Sequence, residues 1–290
     1  MYRGGTGQWT WLLHRISGVA IVYFLTLHIF ETLQLAQGAE AYNEATAVYK
    51  QPWFRPFEFA LVMAVVYHAF NGVRVALFDY FPSLTRCRKQ IFWIGVALFA
   101  VLTPAIGYFM LSGVFGLSLA EIFASMQGIG YAALIAGPVA VPVLYLLWRG
   151  TALSEGRRVI LSTSNSAPAP AASRFEKLAW WFMRLSGLLL VFLVLFHLFI
   201  MHIERDIADV TGEFVVERFL ANPVWIIVDL TMLFLAWLHG LNGVRVVLTD
   251  YMRRGAPRKY VLGAIGLFGL VWLVAGGAVL FVIPTLVTGA

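Results

Sequence analysis

Four histidines stand at matched positions in the two halves of this sequence, and imidazoles that face each other across a helix bundle are ligands for a redox metal. The segment His68-Ala-Phe-Asn-Gly-Val-Arg-Val-Ala-Leu-Phe-Asp-Tyr80 aligns with His239-Gly-Leu-Asn-Gly-Val-Arg-Val-Val-Leu-Thr-Asp-Tyr251, with nine of thirteen positions identical. Upstream of each, His14-Arg-Ile-Ser-Gly18 aligns with Met183-Arg-Leu-Ser-Gly187, and ten residues past each glycine comes a second shared histidine, His28 and His197. Two imidazoles on opposite helices give haem iron a six-coordinate, low-spin environment suited to electron transfer. Zinc or copper would want three or four converging ligands, preferably thiolates or carboxylates, and the sequence places none for that. An isolated intramembrane histidine is often only a hydrogen-bond partner for its neighbour. Two pairs repeated at the same offsets are not explained that way.

The elements that must carry these residues are membrane spans. Of 290 residues, 60% are apolar and 12% charged, against roughly 45–50% and 25% in an average soluble chain. Mean hydropathy is +0.80. Seven stretches reach the ~20 apolar residues a transmembrane helix needs: approximately 16–36, 57–78, 91–112, 129–148, 180–201, 224–248 and 261–284. The first is not read as a signal peptide, because its lead-in is long and no small-residue cleavage site follows. One cysteine, Cys87, excludes an internal disulfide and a Cys-ligated cluster. The net charge of +6 does not indicate nucleic-acid binding, because basic residues gather in loops on one side. With a cytoplasmic N-terminus, all but four of the 21 Lys and Arg fall on the inner side, the exceptions being Lys50, Arg55, Arg205 and Arg218.

The expected fold is therefore an all-α polytopic transmembrane bundle: two parallel three-helix repeats plus one linking transmembrane helix, seven spans, N-in and C-out. A three-helix unit that starts inside ends outside, so a parallel repeat needs the extra crossing at 129–148. The units are 1–125, a linking segment 126–173 with a Pro-, Ala- and Ser-rich linker at 162–173, and 174–290. Parallel repeats are related by an axis along the membrane normal, so His28 is expected to face His197, and His68 to face His239. At 1.5 Å per residue, His68 and His239 lie roughly 16 Å, and His28 and His197 roughly 20 Å, from the inner helix ends.

Other residues fit around such a cofactor. Gly72 and Gly243 follow the inner histidines by four and share their helix face, which either leaves room for a porphyrin or serves close helix packing. Arg74 and Arg245 either pair haem propionates or snorkel to lipid phosphates. His14, beside Arg15, is within reach of a propionate. His202 reads as an interfacial residue at the outer helix end, and Glu31, three residues past His28, has no assigned role.

These motifs resemble the membrane-anchor cytochrome b subunits of succinate dehydrogenase and fumarate reductase. Met-Tyr-Arg-Gly-Gly followed by His14-Arg-Ile-Ser-Gly18 is similar to the start of the larger anchor subunit, and Tyr67-His68 through Asp79-Tyr80 to its second helix. Val247-Leu-Thr-Asp-Tyr251 resembles the smaller anchor, so the two anchors are joined here in one chain. The resemblance covers about 1–112 and 174–285. It implies an inner (cytoplasmic) membrane protein that docks a flavoprotein subunit carrying FAD and an iron–sulfur subunit, and helps pass electrons to quinone. It assigns quinone binding to Asp250, Tyr251 and Arg15, with Ser17 as a substitute for a family serine whose position is Trp11 here. It also implies two b-type haems, on His68–His239 and His28–His197, or at least one. Two alternatives stand beside it: a fumarate reductase anchor running in reverse, and a haemless structural anchor. A transporter on parallel repeats would need broken helices at matched positions. Pro104, Pro138 and Pro142 supply no break shared by the repeats.

Overall fold

The computed structural model describes residues 6–111, 174–253 and 255–288. They form eight α-helices and a few short 3-10 or π turns, with no strand among the described residues. The first half supplies α1 (Thr6–Leu33), α2 (Ala39–Thr46), α3 (Arg55–Tyr80) and α4 (Arg88–Leu111). The second supplies α5 (Arg174–Phe199), α6 (Gly212–Ala221), α7 (Val224–Tyr251) and α8 (Ala256–Thr288). Six segments are long and apolar enough to cross a membrane: Gly7–Gln37, Arg55–Tyr80, Pro82–Leu111, Arg174–Glu204, Val224–Tyr251 and Ala256–Ile283. The expected span at 129–148 and the linker at 162–173 lie outside the described residues. Helix is the form these sequences must take in lipid, where each backbone N–H and C=O needs an internal partner.

The helices run beyond the apolar stretches that locate them in sequence. α1 begins at Thr6, about three turns before residue 16, so His14 and Arg15 belong to the helix and not to a lead-in. Hydropathy detects only the part suited to hydrocarbon, whereas the backbone ladder continues through an interfacial stretch. Pro104 lies inside α4 without ending it. Prolines are tolerated in membrane helices where neighbouring Ser or Thr side chains help satisfy the backbone, and the adjacent Thr103 hydroxyl donates to the Phe99 carbonyl at 2.7 Å.

Four helices form the centre. α1 packs on α3 and α7, and α5 packs on the same two, closing a ring in which the first span of each half touches the second span of the other. α4 lies outside on α3, and α8 outside on α7 and α1. This swapped pairing is what a parallel repeat about an axis along the bundle produces. In each half a short helix, α2 or α6, caps the loop between first and second spans. The two caps meet closely: the Gly212 N–H donates to Asn43 Oδ1 at 2.8 Å, and a Cβ on Gly212 would lie 2.7 Å from the Ala39 backbone, so only glycine fits. Asn43 also donates to Glu213 at 3.0 Å, and that bond holds the Glu213 carboxyl below its usual range.

Lipid tails are as apolar as the side chains, so packing and interhelical hydrogen bonds hold the spans together. Tyr67 donates to the Thr10 carbonyl at 3.1 Å, joining α3 to α1, and Trp272 donates to the Thr26 carbonyl at 3.0 Å, joining α8 to α1. Trp237 on α7 is fully buried and its indole N–H reaches the Gly269 carbonyl of α8 at 2.6 Å. Trp237→Ala empties that site and removes the bond between the two helices. It is expected to destabilise the fold by about 3–5 kcal/mol, read as an earlier thermal transition in detergent.

Candidate functional site

The two halves build the same seat for the inner histidines. On α1, Ser17 Oγ lies 3.1 Å from His68 Nδ1, and a Cβ at the adjoining Gly18 would fall 2.9 Å from His68 Cε1. On α5, Ser186 Oγ lies 2.9 Å from His239 Nδ1, and a Cβ at Gly187 would fall 3.2 Å from His239 Cε1. The Ser-Gly of each first span thus receives the imidazole of the second span of its own half. The hydroxyls are themselves anchored: Ser17 donates to the His14 carbonyl at 3.1 Å and Ser186 to the Phe182 carbonyl at 2.5 Å. His14 stacks on His68, ring centroids 3.8 Å apart and 10° from parallel, and its Nδ1 is buried without a hydrogen-bond partner among the described residues. The sequence led His68 to be expected opposite His239; among the described residues the two rings are not in contact, and His68 stacks instead on His14 of its own half.

One turn from these seats, the repeat places an Asn–Arg pair on each second span. Arg74 donates to Asn71 Oδ1 at 2.9 Å and Arg245 to Asn242 Oδ1 at 2.8 Å. Their remaining contacts differ. Arg245 makes a bidentate bond to Glu176 at 2.8 and 3.0 Å, whereas the buried Nε of Arg74 has no hydrogen-bond partner among the described residues. Of the two glycines, Gly72 is faced by the His14 ring at 3.8 Å, and a Cβ on Gly243 would meet nothing within 4 Å among the described residues. Neither is used for tight contact with another helix backbone.

At the end of the bundle that carries Asp79 and Asp250, the halves exchange ion pairs. Arg15 of α1 binds Asp250 of α7, and Arg184 of α5 binds Asp79 of α3 through Nε and Nη2 at 2.9 and 2.8 Å. Each guanidinium also lies over a tryptophan one helical turn back, Arg15 over Trp11 at 4.0 Å and Arg184 over Trp180 at 4.3 Å. Tyr80 packs against Trp180 and Trp181 at 6.4 and 5.9 Å. The rim is thus a pair of twins: Trp11, Arg15, Asp250 and Tyr251 on one side, Trp180, Arg184, Asp79 and Tyr80 on the other. Partly exposed pairs of this kind contribute about 0–1 kcal/mol, so their role is to fix position and charge.

Toward the capped end, His28 and His197 face each other with ring centroids 6.2 Å apart at 71°. They line a cavity of about 610 Å³ with mostly apolar walls, whose polar rim includes Glu31, Tyr49, Arg218 and Asp229. Tyr49 donates to Glu31, and Arg218 binds Asp229. Burial pushes the Tyr42 phenol up to about 12 and Tyr49 higher, so both stay neutral donors. The sequence places His202 at the interface; the structure instead turns it inward, Nδ1 3.5 Å from the buried Glu58. The cause is the π turn Ile200–Glu204, which advances the side chains by more residues per turn than an α-helix and re-aims those after it. Beside it Arg55 binds Asp206 at 2.5 Å. Against burial, which would raise it, the Ala208 N–H and Arg55 hold the Asp206 carboxyl below its usual range.

The structure brings together His28 with His197, Arg15 with Asp250, and His14 with His68. It places Ser17 against His68, its hydroxyl used inside the bundle. Along α1 the inner level at Ser17 and the outer level at His28 are separated by roughly 16 Å at 1.5 Å per residue, more than the few ångströms expected from sequence. Arg15 and Arg184 are long, and they reach toward the helix ends to meet the aspartates, so they are poor markers of backbone depth. Sequence reading missed Asn71, Asn242, Trp11 with Trp180, and Ser186. All recur in register between the halves, so alignment of the repeats held the signal.

A duplicated helical membrane protein with paired interior histidines is the class these features define. The sequence model of the family described as "Succinate dehydrogenase/Fumarate reductase transmembrane subunit" matches residues 1–104 and 167–283. The chain belongs to that family, the membrane-anchor subunits of complex II. It is similar to the succinate dehydrogenase 2 membrane subunit SdhC of Mycobacterium tuberculosis, 39% identical over 106 residues, 36% of this chain and 78% of that protein. It is also similar to two proteins described as succinate dehydrogenase hydrophobic membrane anchor subunits. That of Archaeoglobus fulgidus is 35% identical over 69 residues, 24% of this chain and 59% of that protein. That of Halobacterium salinarum is 28% identical over 110 residues, 38% of this chain and 84% of that protein.

Proposed function

We propose that this chain is a two-haem cytochrome b anchor of succinate dehydrogenase, both anchor units in one polypeptide, which docks the flavoprotein and iron–sulfur subunits and passes electrons to membrane quinone. The observation that carries this reading is the duplication of histidine pairs at two levels inside the four central helices. Held between two imidazoles, haem b supplies reversible one-electron transfer. Among the described residues no three His, Cys, Asp or Glu side chains gather to cage a bare metal ion, whereas a haem would bring the ring nitrogens that hold its iron and would need only two imidazoles from the protein. The donor set fits that group. His68 and His239 have Nδ1 occupied and Nε2 available, and His28 and His197 border a cavity within the ~300–1,000 Å³ range of small-molecule and cofactor sites. The unpartnered Arg74 Nε and His14 Nδ1 suit an anionic substituent near the inner pair; Arg245 would share one with Glu176.

The quinone reading rests on Tyr251, Asp250 and Arg15. Tyr251 donates its phenol hydrogen to a quinone carbonyl, Arg15 places positive charge beside it, and Asp250 orients Arg15 and takes or returns a proton. Asp250 and Tyr251 stand at the end of α7, and Arg15 reaches Asp250 from within α1, on the side assigned to the cytoplasm by its basic loops, where a soluble iron–sulfur subunit would dock. Succinate is favoured as electron source because the similar proteins are described as succinate dehydrogenase subunits. The chain is placed in the inner (cytoplasmic) membrane with its N-terminus inside and seven crossings.

A redox-difference spectrum combined with pyridine haemochrome quantification tests the core of this reading. Two b-type haems per chain are expected, and none would leave only a structural anchor. For topology, a reporter fused at Ser166 is expected to report from the cytoplasm, and an external signal would overturn the seven-span, N-in arrangement.

A further inference from the structure

We infer that Ser17 and Ser186 are positioning residues that fix the protonation and orientation of His68 and His239, and that they do so unequally. The inference rests on the inner-haem reading. Each serine donates its own hydrogen to a carbonyl of its helix, His14 O at 3.1 Å or Phe182 O at 2.5 Å. Its oxygen is then left to accept, and what it accepts is the imidazole Nδ1–H. His68 carries a second mark of the same state. Its Nδ1 lies 3.2 Å from the His14 carbonyl, which can only accept. A proton held on Nδ1 leaves the Nε2 lone pair free. The glycine after each serine supplies the clearance: a methyl group on Gly18 or Gly187 would press on Cε1, the carbon between the two ring nitrogens.

An acceptor on the far nitrogen of a ligating histidine makes the ligand more basic and fixes its ring. A more basic axial ligand favours the ferric state, so removing the acceptor raises the midpoint potential. The inequality follows from the acceptor count. His68 has both Ser17 and the His14 carbonyl, whereas Ser186 is the acceptor His239 has among the described residues. Ser186 is also almost wholly buried, which keeps water from replacing its hydroxyl.

Redox titration of the full chain as purified, followed optically, tests this, with the inner haem identified as the one lost in His239→Ala. Ser186→Ala is expected to raise the midpoint of the inner haem and leave the outer one unchanged, and Ser17→Ala to shift the inner one less. Loss of the inner haem alone in Ser186→Ala also supports the inference, because the retained outer haem reports an intact fold. An unshifted midpoint in Ser186→Ala, or an equal or larger shift in Ser17→Ala, would overturn it. Loss of both haems would mark Ser186 as a packing residue and overturn it as well. A wild-type chain without haem removes the reading beneath it and the inference together, whereas haem with unmoved potentials removes only the inference.

Discussion

Tyr251→Phe is expected to slow quinone reduction by about 10²-fold, the usual effect of removing one hydrogen-bond donor at a reacting oxygen, while haem content and spectrum stay unchanged. Asp250→Ala is expected to do the same by releasing Arg15. The twin rim supplies the control. Tyr80 and Asp79 sit in the same local arrangement, with Arg184 bound to Asp79 as Arg15 is to Asp250. Tyr251→Phe and Tyr80→Phe each remove one hydroxyl and leave the neighbouring ion pair in place. A large difference in turnover between Tyr251→Phe and Tyr80→Phe then reports quinone chemistry and not folding. Steady-state reduction of a soluble quinone by the assembled complex measures it. If Tyr80→Phe abolished turnover and Tyr251→Phe left it intact, the quinone assignment would move to the other half.

The rim also shows what a duplicated sequence reveals and what it conceals. The match from His68 to Tyr80 with His239 to Tyr251 located the second spans and required equivalent residues to meet across one axis. His28 meets His197 as that requires, and the two exchanged ion pairs are related by the same axis, whereas His68 stacks on His14 and makes no ring contact with His239 among the described residues. Partners within a half were harder to read. Ser17 meets His68 because α1 and α3 pack at a particular rotation, and neither helix has a polar stripe to announce it, each being apolar around most of its circumference. The inward turn of His202 depends on one π turn, which no periodicity encodes. The tight contact between Gly212 and Ala39 joins the first residues of the two cap helices, which lie outside the motifs the halves share. Local self-similarity was legible; rotation about helix axes, which decides contacts in a uniformly apolar bundle, was not.

His28→Ala and His197→Ala are each expected to remove one haem of two and leave the other spectrally intact. The outer cavity of about 610 Å³ separates α1 from α5 at this level, and the two imidazoles are the groups that approach each other across it. Deleting either would leave the proposed haem with one of its two imidazoles in a chamber whose walls are mostly apolar, too little to retain the group through purification. The inner site should not respond, because roughly 16 Å along α1 separates the two levels at 1.5 Å per residue, and substitutions more than about 7–10 Å apart without shared partners act independently. His239→Ala should show the converse, losing the inner haem and keeping the outer. The four single variants thus sort into two pairs with two distinct residual spectra, a pattern that general destabilisation does not produce. One haem per wild-type chain, unchanged by His28→Ala, would assign the outer cavity to another apolar occupant and leave His28 and His197 as its wall.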